Sequence, residues 1–285
     1  MPFLQIDDLG LHYRVHGHGE PLVLLHGLGS SGADWAFQAE SLGAHFRLIV
    51  PDLRGSGLSG SPRGRFSIAQ FAADLWRLLD ALAIDRVHLM GFSLGGAVAV
   101  EMALQRPLAV ARLMTINTLP SYRLDSWRKR IELISQVALV RSLGMRRVAA
   151  IAAKRLFREP HQEPMRRRVV EVVGNAPRRP YLKTVKALAA WCALDRMAAI
   201  RSEWLMLAGE HDYTPLAEKR DYATRFGAQF AVVGGSRHGT PFDAINACNA
   251  VALAFFLGKP LPQPESLAID TPDMAPIEAP AGFLH

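Results

Sequence analysis

The hydrophobic positions of the chain follow two rhythms. Near-continuous apolar runs at Pro21-Leu22-Val23-Leu24-Leu25, Phe46-Arg47-Leu48-Ile49-Val50, Val87-His88-Leu89-Met90 and Arg112-Leu113-Met114-Thr115-Ile116 predict strands buried on both faces, as in a parallel sheet. Between them, Ile68, Phe71, Leu75, Leu78, Leu79 and Leu82 recur at helical spacing behind Ser67, which suits an N-cap, and the small apolar stretch Leu94 to Gln105 ends before Pro107. Both read as crossover helices. Phe3 to Ile6 and Leu11 to His16, split by Asp8-Leu9-Gly10, predict an antiparallel hairpin at the sheet edge.

This alternation stops near Leu119 and resumes near Glu203 with the strand Trp204-Leu205-Met206-Leu207-Ala208, a helix from Pro215 to Phe226, the strand Gln229 to Val233 and a helix from Pro241 to Leu257. The interruption has helical periodicity in Trp127 to Leu143 and Met145 to Phe157. The expected fold class is therefore α/β, a mostly parallel twisted sheet flanked by helices with an inserted helical cap. The expected organisation is a core of residues 1–118 and 197–258, a cap of residues 119–196 and a proline-rich C-terminal tail, residues 259–285, with six prolines and four acids.

Charge changes this picture at one place. The formal net charge is +7, but Ser121 to Ala190 carries 17 Lys and Arg against 5 Asp and Glu, so the rest of the chain is net negative. Arg128-Lys129-Arg130, Arg146-Arg147, Arg166-Arg167-Arg168 and Arg178-Arg179 put the excess on the cap. Such runs are usually solvated helix faces; the alternative reading is that the cap attracts an acidic partner, such as an acyl carrier protein, a coenzyme A thioester or an anionic membrane surface. Few aromatics interleave with these arginines, so no nucleic-acid partner is expected. The two cysteines, Cys192 and Cys248, make neither a disulfide framework nor a thiol metal site. The N-terminus lacks a basic segment followed by an apolar core, and no apolar stretch is long enough to span a bilayer. A cytoplasmic protein is expected, with oligomeric state not readable.

The candidate chemistry lies at predicted strand ends. Gly91-Phe92-Ser93-Leu94-Gly95 follows a strand and opens a helix, the setting of a Gly-x-Ser-x-Gly nucleophile elbow. A serine hydroxyl needs a base, and the base an orienting carboxylate. His238, in Gly235-Ser236-Arg237-His238-Gly239-Thr240-Pro241, and Asp212, in Gly209-Glu210-His211-Asp212-Tyr213-Thr214-Pro215, follow the last two strands at the edge where Ser93 emerges. Glu210 and Asp243 are less well placed acids. His26-Gly27-Leu28-Gly29 ends another strand, and the backbone N–H groups of Leu28 and Leu94 are the expected oxyanion donors. His26 itself reads as a structural hydrogen-bonding residue. Asp52-Leu53-Arg54-Gly55-Ser56-Gly57-Leu58-Ser59 lacks a phosphate-loop pattern and reads as a turn fixed by its Asp and Arg.

With these motifs in this order, the chain resembles the α/β-hydrolase fold superfamily, in its esterase, lipase and cofactor-free haloperoxidase group, over Phe3 to Gly258. The resemblance implies a serine hydrolase of the carboxylesterase type: Ser93 nucleophile, His238 base, Asp212 acid, no cofactor and no metal, a lid at Leu119 to Arg196, and a carboxylic or acyl ester as substrate. Two departures qualify it. Pro215 stands one residue closer to Asp212 than in many members, and the cap carries no substrate signature. Carbon–carbon, lactone and thioester hydrolysis and perhydrolysis use the same triad, and a non-catalytic hydrolase-fold receptor would retain it. Dehalogenase and epoxide hydrolase chemistry uses an aspartate where Ser93 stands.

Overall fold

In the computed structural model, which describes residues 2–263, eight strands form one sheet: β1 (Phe3–Ile6), β2 (Leu9–His16), β3 (Glu20–Leu25), β4 (Phe46–Pro51), β5 (Val87–Phe92), β6 (Val110–Ile116), β7 (Glu203–Gly209) and β8 (Gln229–Val233). Their spatial order is β1-β2-β4-β3-β5-β6-β7-β8. The hairpin β1–β2 is antiparallel and β2 runs antiparallel to β4, while every pairing from β4 to β8 is parallel. The flanking helices are α1 (Ala36–Gly43), α2 (Ile68–Ala81), α3 (Leu94–Gln105), α7 (Leu216–Phe226), α8 (Thr240–Asp243) and α9 (Ile245–Phe256). The helical insertion between β6 and β7 contributes α4 (Trp127–Leu156), α5 (Glu163–Gly174) and α6 (Arg178–Ala189).

The near-continuous apolar runs follow from a sheet covered on both faces. Successive strand side chains point to opposite sides: Val23, Leu25, Leu89, Leu113 and Met206 pack with α2 and α3, and Leu22, Leu24, Met90, Met114 and Leu205 pack with α1 and α9. Helix α2 begins at the expected cap, the Ser67 hydroxyl accepting from the Gln70 N–H at 3.2 Å.

Most boundaries shift by a residue or two from the sequence expectation, and three of the differences have a visible origin or consequence. Strand β2 starts at Leu9 because Asp7 takes a left-handed φ of 52° and tightens the hairpin turn. Strand β6 starts at Val110, two residues before the apolar run becomes continuous. The helix expected from Pro241 to Leu257 is broken at Ala244 (φ −144°, ψ 57°). The Asp243 carboxylate accepts from the Ser236 hydroxyl at 2.7 Å and the Arg237 N–H at 3.0 Å, so α8 holds the preceding loop rather than continuing into α9.

Helix α4 is kinked at Gly144, whose φ of 77° and ψ of 168° are non-helical, where the two predicted helical stretches meet. The cap is tied to the core by side-chain hydrogen bonds and a cation–π contact. Arg168 donates to the Ala33 carbonyl at 3.2 Å and stacks over Phe37, Lys183 donates to the Pro62 carbonyl at 2.9 Å, and the buried Glu101 accepts from Trp191 at 2.8 Å and from Arg196.

The turn after β4 is organised by Asp52, which accepts from His12 Nδ1 at 2.9 Å, Gly32 N–H at 2.7 Å and Leu58 N–H at 2.9 Å. Arg54 makes two bonds to Asp74, at 2.8 and 2.7 Å. Burial works to raise the Asp52 pKa, but the hydrogen bond from His12 and the two amides outweighs it and holds the carboxyl at about 2, against 3.8 for a free aspartate. A carboxyl that ionises more readily folded than unfolded stabilises the fold fully above about pH 4 and loses that contribution as the pH falls through about 2. The stability gap between wild type and Asp52→Asn is therefore expected to shrink by about 2 kcal/mol between neutral and strongly acidic pH, measured by urea unfolding; a gap independent of pH would refute it.

Candidate functional site

Ser93 leaves the end of β5 and enters α3 with φ 53° and ψ −113°, a conformation that side chains rarely adopt and that the surroundings must hold. Its N–H donates to the Ile116 carbonyl at 2.9 Å. The neighbouring glycines are required by close approach: a Cβ at Gly91 would run into the Gly95 carbonyl, and one at Gly95 into the Leu25 carbonyl. Strand, helix and the loop after β3 can then meet closely enough to present the serine hydroxyl.

The loops after β7 and β8 bring two further side chains to it. His238 Nε2 lies 3.1 Å from Ser93 Oγ, and His238 Nδ1 lies 2.7 Å from Asp212 Oδ1. The geometry is that of a nucleophile, a base and an orienting acid in one line. His238 is 7% exposed, its ring packed 5.2 Å from that of Phe92.

The Asp212 side chain is fully buried. Its Oδ2 accepts from the Thr214 hydroxyl at 2.5 Å and from the buried Lys219 ammonium. Burial pushes the Asp212 pKa up, but the hydrogen bond and charge of His238 and the ammonium of Lys219 overcome it and hold the carboxyl at about 2. It is thus an anion throughout the neutral range. Burial lowers the Lys219 pKa, and Asp212 opposes that shift.

Three residues of this site were not read as functional from the sequence. Asn117, at the end of β6 with φ 50°, donates from Nδ2 to the His238 carbonyl and to Thr240 Oγ1, both at 2.8 Å, while its Oδ1 accepts from the Gly209 N–H at 2.9 Å. It ties together the ends of three strands. The only trace in the sequence is a polar residue directly after a buried strand. Lys219 lies within the helix expected from Pro215 to Phe226, with no motif around it. Tyr213 directly follows the acid; its hydroxyl is 2.8 Å from His238 Nε2 and its ring centroid 4.1 Å from the imidazole, although the residue is 69% exposed. Its hydroxyl end is nonetheless enclosed: burial, with Tyr122 and Asp212 close by, pushes the phenol pKa well up, so the exposed part of the residue is the remainder of its ring and backbone.

The other polar groups have structural partners. His26 is buried, its Nδ1 2.8 Å from the Gly27 carbonyl and its Nε2 accepting from the Leu53 N–H at 3.0 Å. Glu210 accepts from the Gly235 N–H at 2.7 Å and, like Asp243, braces the loop that carries His238. The loop after β3 lies against the elbow, since a Cβ at Gly27 would meet the Phe92 ring at 2.9 Å. Leu94 N–H is a first-turn helix donor without an intrahelical acceptor, and Leu28 sits in the turn closed by Ser30 N–H to Gly27 O at 3.4 Å. The cap approaches here: Leu28 packs with Val140, Tyr181 and Val185, and a Cβ on Gly239 would meet Phe157 at 3.1 Å. Among the described residues no group of three or more His, Cys, Asp or Glu is arranged to hold a metal ion, and no helix is long and apolar enough to cross a membrane.

The sequence profile of the alpha/beta hydrolase fold matches residues 20–244. A putative carbamate hydrolase RutD from Azorhizobium caulinodans is 30% identical over 219 residues, covering 74% of this chain and 81% of that protein. Among solved structures, the enol-lactonase from Burkholderia xenovorans LB400 is 25% identical with a TM-score of 0.82, covering 90% of this chain and 100% of the other. A thermophilic esterase from Thermogutta terrifontis is 27% identical with a TM-score of 0.79, covering 88% and 93%. With its mostly parallel eight-stranded sheet, its helical insertion and these relatives, the chain belongs to the alpha/beta hydrolase fold family and is a hydrolase.

Proposed function

We propose that the protein hydrolyses carboxylic esters by a serine mechanism through an acyl-enzyme. The observation that carries this reading is the continuous line from Ser93 Oγ through His238 to a buried, ionised Asp212. Ser93 Oγ attacks the ester carbonyl as His238 Nε2 takes its proton, and Asp212 holds the Nδ1–H tautomer and stabilises the imidazolium. The N–H groups of Leu28 and Leu94 receive the oxyanion of the tetrahedral intermediate. His238 returns the proton to the departing alcohol; it then deprotonates a water that attacks the acyl-Ser93 carbonyl, and Ser93 is regenerated as the acid leaves. The similarity to an esterase and an enol-lactonase supports an oxygen-linked acyl group as the scissile one.

The test is steady-state hydrolysis of p-nitrophenyl esters from acetyl to palmitoyl, beside a lactone and a carbamate series, together with fluorophosphonate labelling. Ester turnover exceeding that of the other two series, with labelling confined to Ser93, is expected. A preference for the carbamates would reassign the substrate class, and labelling without turnover would leave a receptor. The acyl length of best turnover reports the depth of the pocket.

Tyr213 gives a separate prediction. With Nδ1–H directed at Asp212, the imidazole has one free lone pair, and both the Ser93 and the Tyr213 hydroxyls approach it. Removing one competing hydrogen bond, as in Tyr213→Phe, is expected to speed fluorophosphonate labelling of Ser93 by about three- to tenfold. Slower labelling would mean that the phenol assists the reacting atoms.

A further inference from the structure

Ahead of the Gly144 kink, the first half of α4 (residues 127–143) has an apolar face with no protein against it. Trp127, Ile131 and Ile134 are 67%, 53% and 66% exposed. At helical spacing, these three and Ala138 fall within a sector of about 60°. The packed side of the same helix is different: Val140 is fully buried and Leu133 partly so, both against the Tyr181 cluster, and Gln136 donates to the Tyr181 hydroxyl at 3.3 Å. The exposed stripe is thus a second apolar face, beyond what docking the cap requires.

Cations border that stripe. Arg130 and Arg141 lie on one shoulder and Arg128 on the other, all exposed, with the Arg128 guanidinium 5.5 Å from the Trp127 ring centroid. Lys129 is paired with Asp125, and Glu132 lies beyond Arg128 toward the packed side. An exposed apolar stripe edged by arginines, with a Trp at one end, is the arrangement that lies in the headgroup region of a bilayer: the apolar side chains enter the acyl boundary while the guanidiniums reach the phosphates. A second copy of the chain fits less well, because a two-fold contact along this stripe would bring two arginine-edged faces together.

We propose that the first half of α4 is an interfacial helix that seats the cap on an anionic phospholipid surface. The opposite side of the same helix packs in the cluster that Leu28 joins, so docking would hold the cap, rather than the sheet, against the lipid. The proposal concerns binding and is independent of which bond the protein cleaves.

The experiment is co-sedimentation of the full chain with vesicles of phosphatidylcholine containing about a third phosphatidylglycerol, and with phosphatidylcholine alone, at low and high salt. Wild type is expected to bind the anionic vesicles at low salt and to lose most of that binding in either control. Ile131→Glu/Ile134→Glu and, separately, Arg130→Gln/Arg141→Gln are expected to weaken binding at least about tenfold. Thermal unfolding should be unchanged, because these side chains are exposed. Absence of wild-type binding to anionic vesicles overturns the proposal, as does binding that the isoleucine variant leaves intact. Self-association in sedimentation velocity that Ile131→Glu abolishes, without vesicle binding, would assign the stripe to a second copy. Binding of an acidic carrier protein that requires the arginines but not the isoleucines, again without vesicle binding, would assign the face to a protein partner.

Discussion

Ser93→Ala is expected to lower kcat for the best ester substrate by about 10⁴- to 10⁶-fold and to abolish fluorophosphonate labelling. The size follows from what the hydroxyl does: without Oγ no acyl-enzyme forms, and only substrate binding and the oxyanion donors remain to assist attack by water. The variant is suited to the measurement because the loss should not come from unfolding. Ala retains the Cβ and the backbone N–H that donates to the Ile116 carbonyl, and the strained φ of 53° is imposed by packing around Gly91 and Gly95, which the substitution does not touch. Thermal unfolding within experimental error of wild type, with turnover gone, is the expected pair of results. Turnover reduced less than about tenfold would mean that a water activated directly by His238 carries the reaction.

How much of this could be read from the sequence depended on how local each determinant is. The strands declared themselves because a sheet covered on both faces forces apolar residues at consecutive positions, as Leu22 to Leu25 illustrate. The elbow was legible because its glycines answer a steric demand within five residues. Ser93, Asp212 and His238 were singled out by their places after strands, and the fold brings those strand ends to one edge. Asn117 and Lys219 escaped notice because their value lies in partners far along the chain: Asn117 reaches His238 and Thr240 across more than 120 positions, and nothing around Lys219 announces that its ammonium is buried against Asp212. Tyr213 was visible only as a neighbour of the acid. The break at Ala244 was hidden for the same reason, since it answers the bonds that Asp243 makes to the His238 loop, not a helix-breaking residue. On the cap, composition showed the excess of arginines but not their uses: Arg168 and Arg166 are spent on the Ala33, Phe157 and Glu159 carbonyls, whereas Arg128, Arg130 and Arg141 remain on an exposed helix.

Asp212→Asn is expected to separate two functions that one carboxylate now combines. Oδ1 faces His238 Nδ1 and fixes which nitrogen carries the proton; an amide whose NH₂ turns to that nitrogen would favour the opposite tautomer, leaving Nε2 protonated and unable to accept from Ser93. A fall in kcat of about 10⁴-fold is expected from that change alone. Oδ2 meets Lys219, which is buried with it, and a neutral partner leaves a cation in the interior, at a cost of about 3–5 kcal/mol in stability. Lys219→Met on the Asp212→Asn background tells the two apart. It removes the uncompensated charge, so urea unfolding should recover most of the lost stability while turnover stays at the level of the single variant, because the tautomer is still wrong. Turnover that recovers together with stability would show that Asp212 acts by holding the loop after β7 in place. Turnover little affected in Asp212→Asn itself would pass the orienting role to another acid, and the two on the same loops are poorly free to take it: Asp243 is engaged by Ser236 and Arg237, and Glu210 by Gly235.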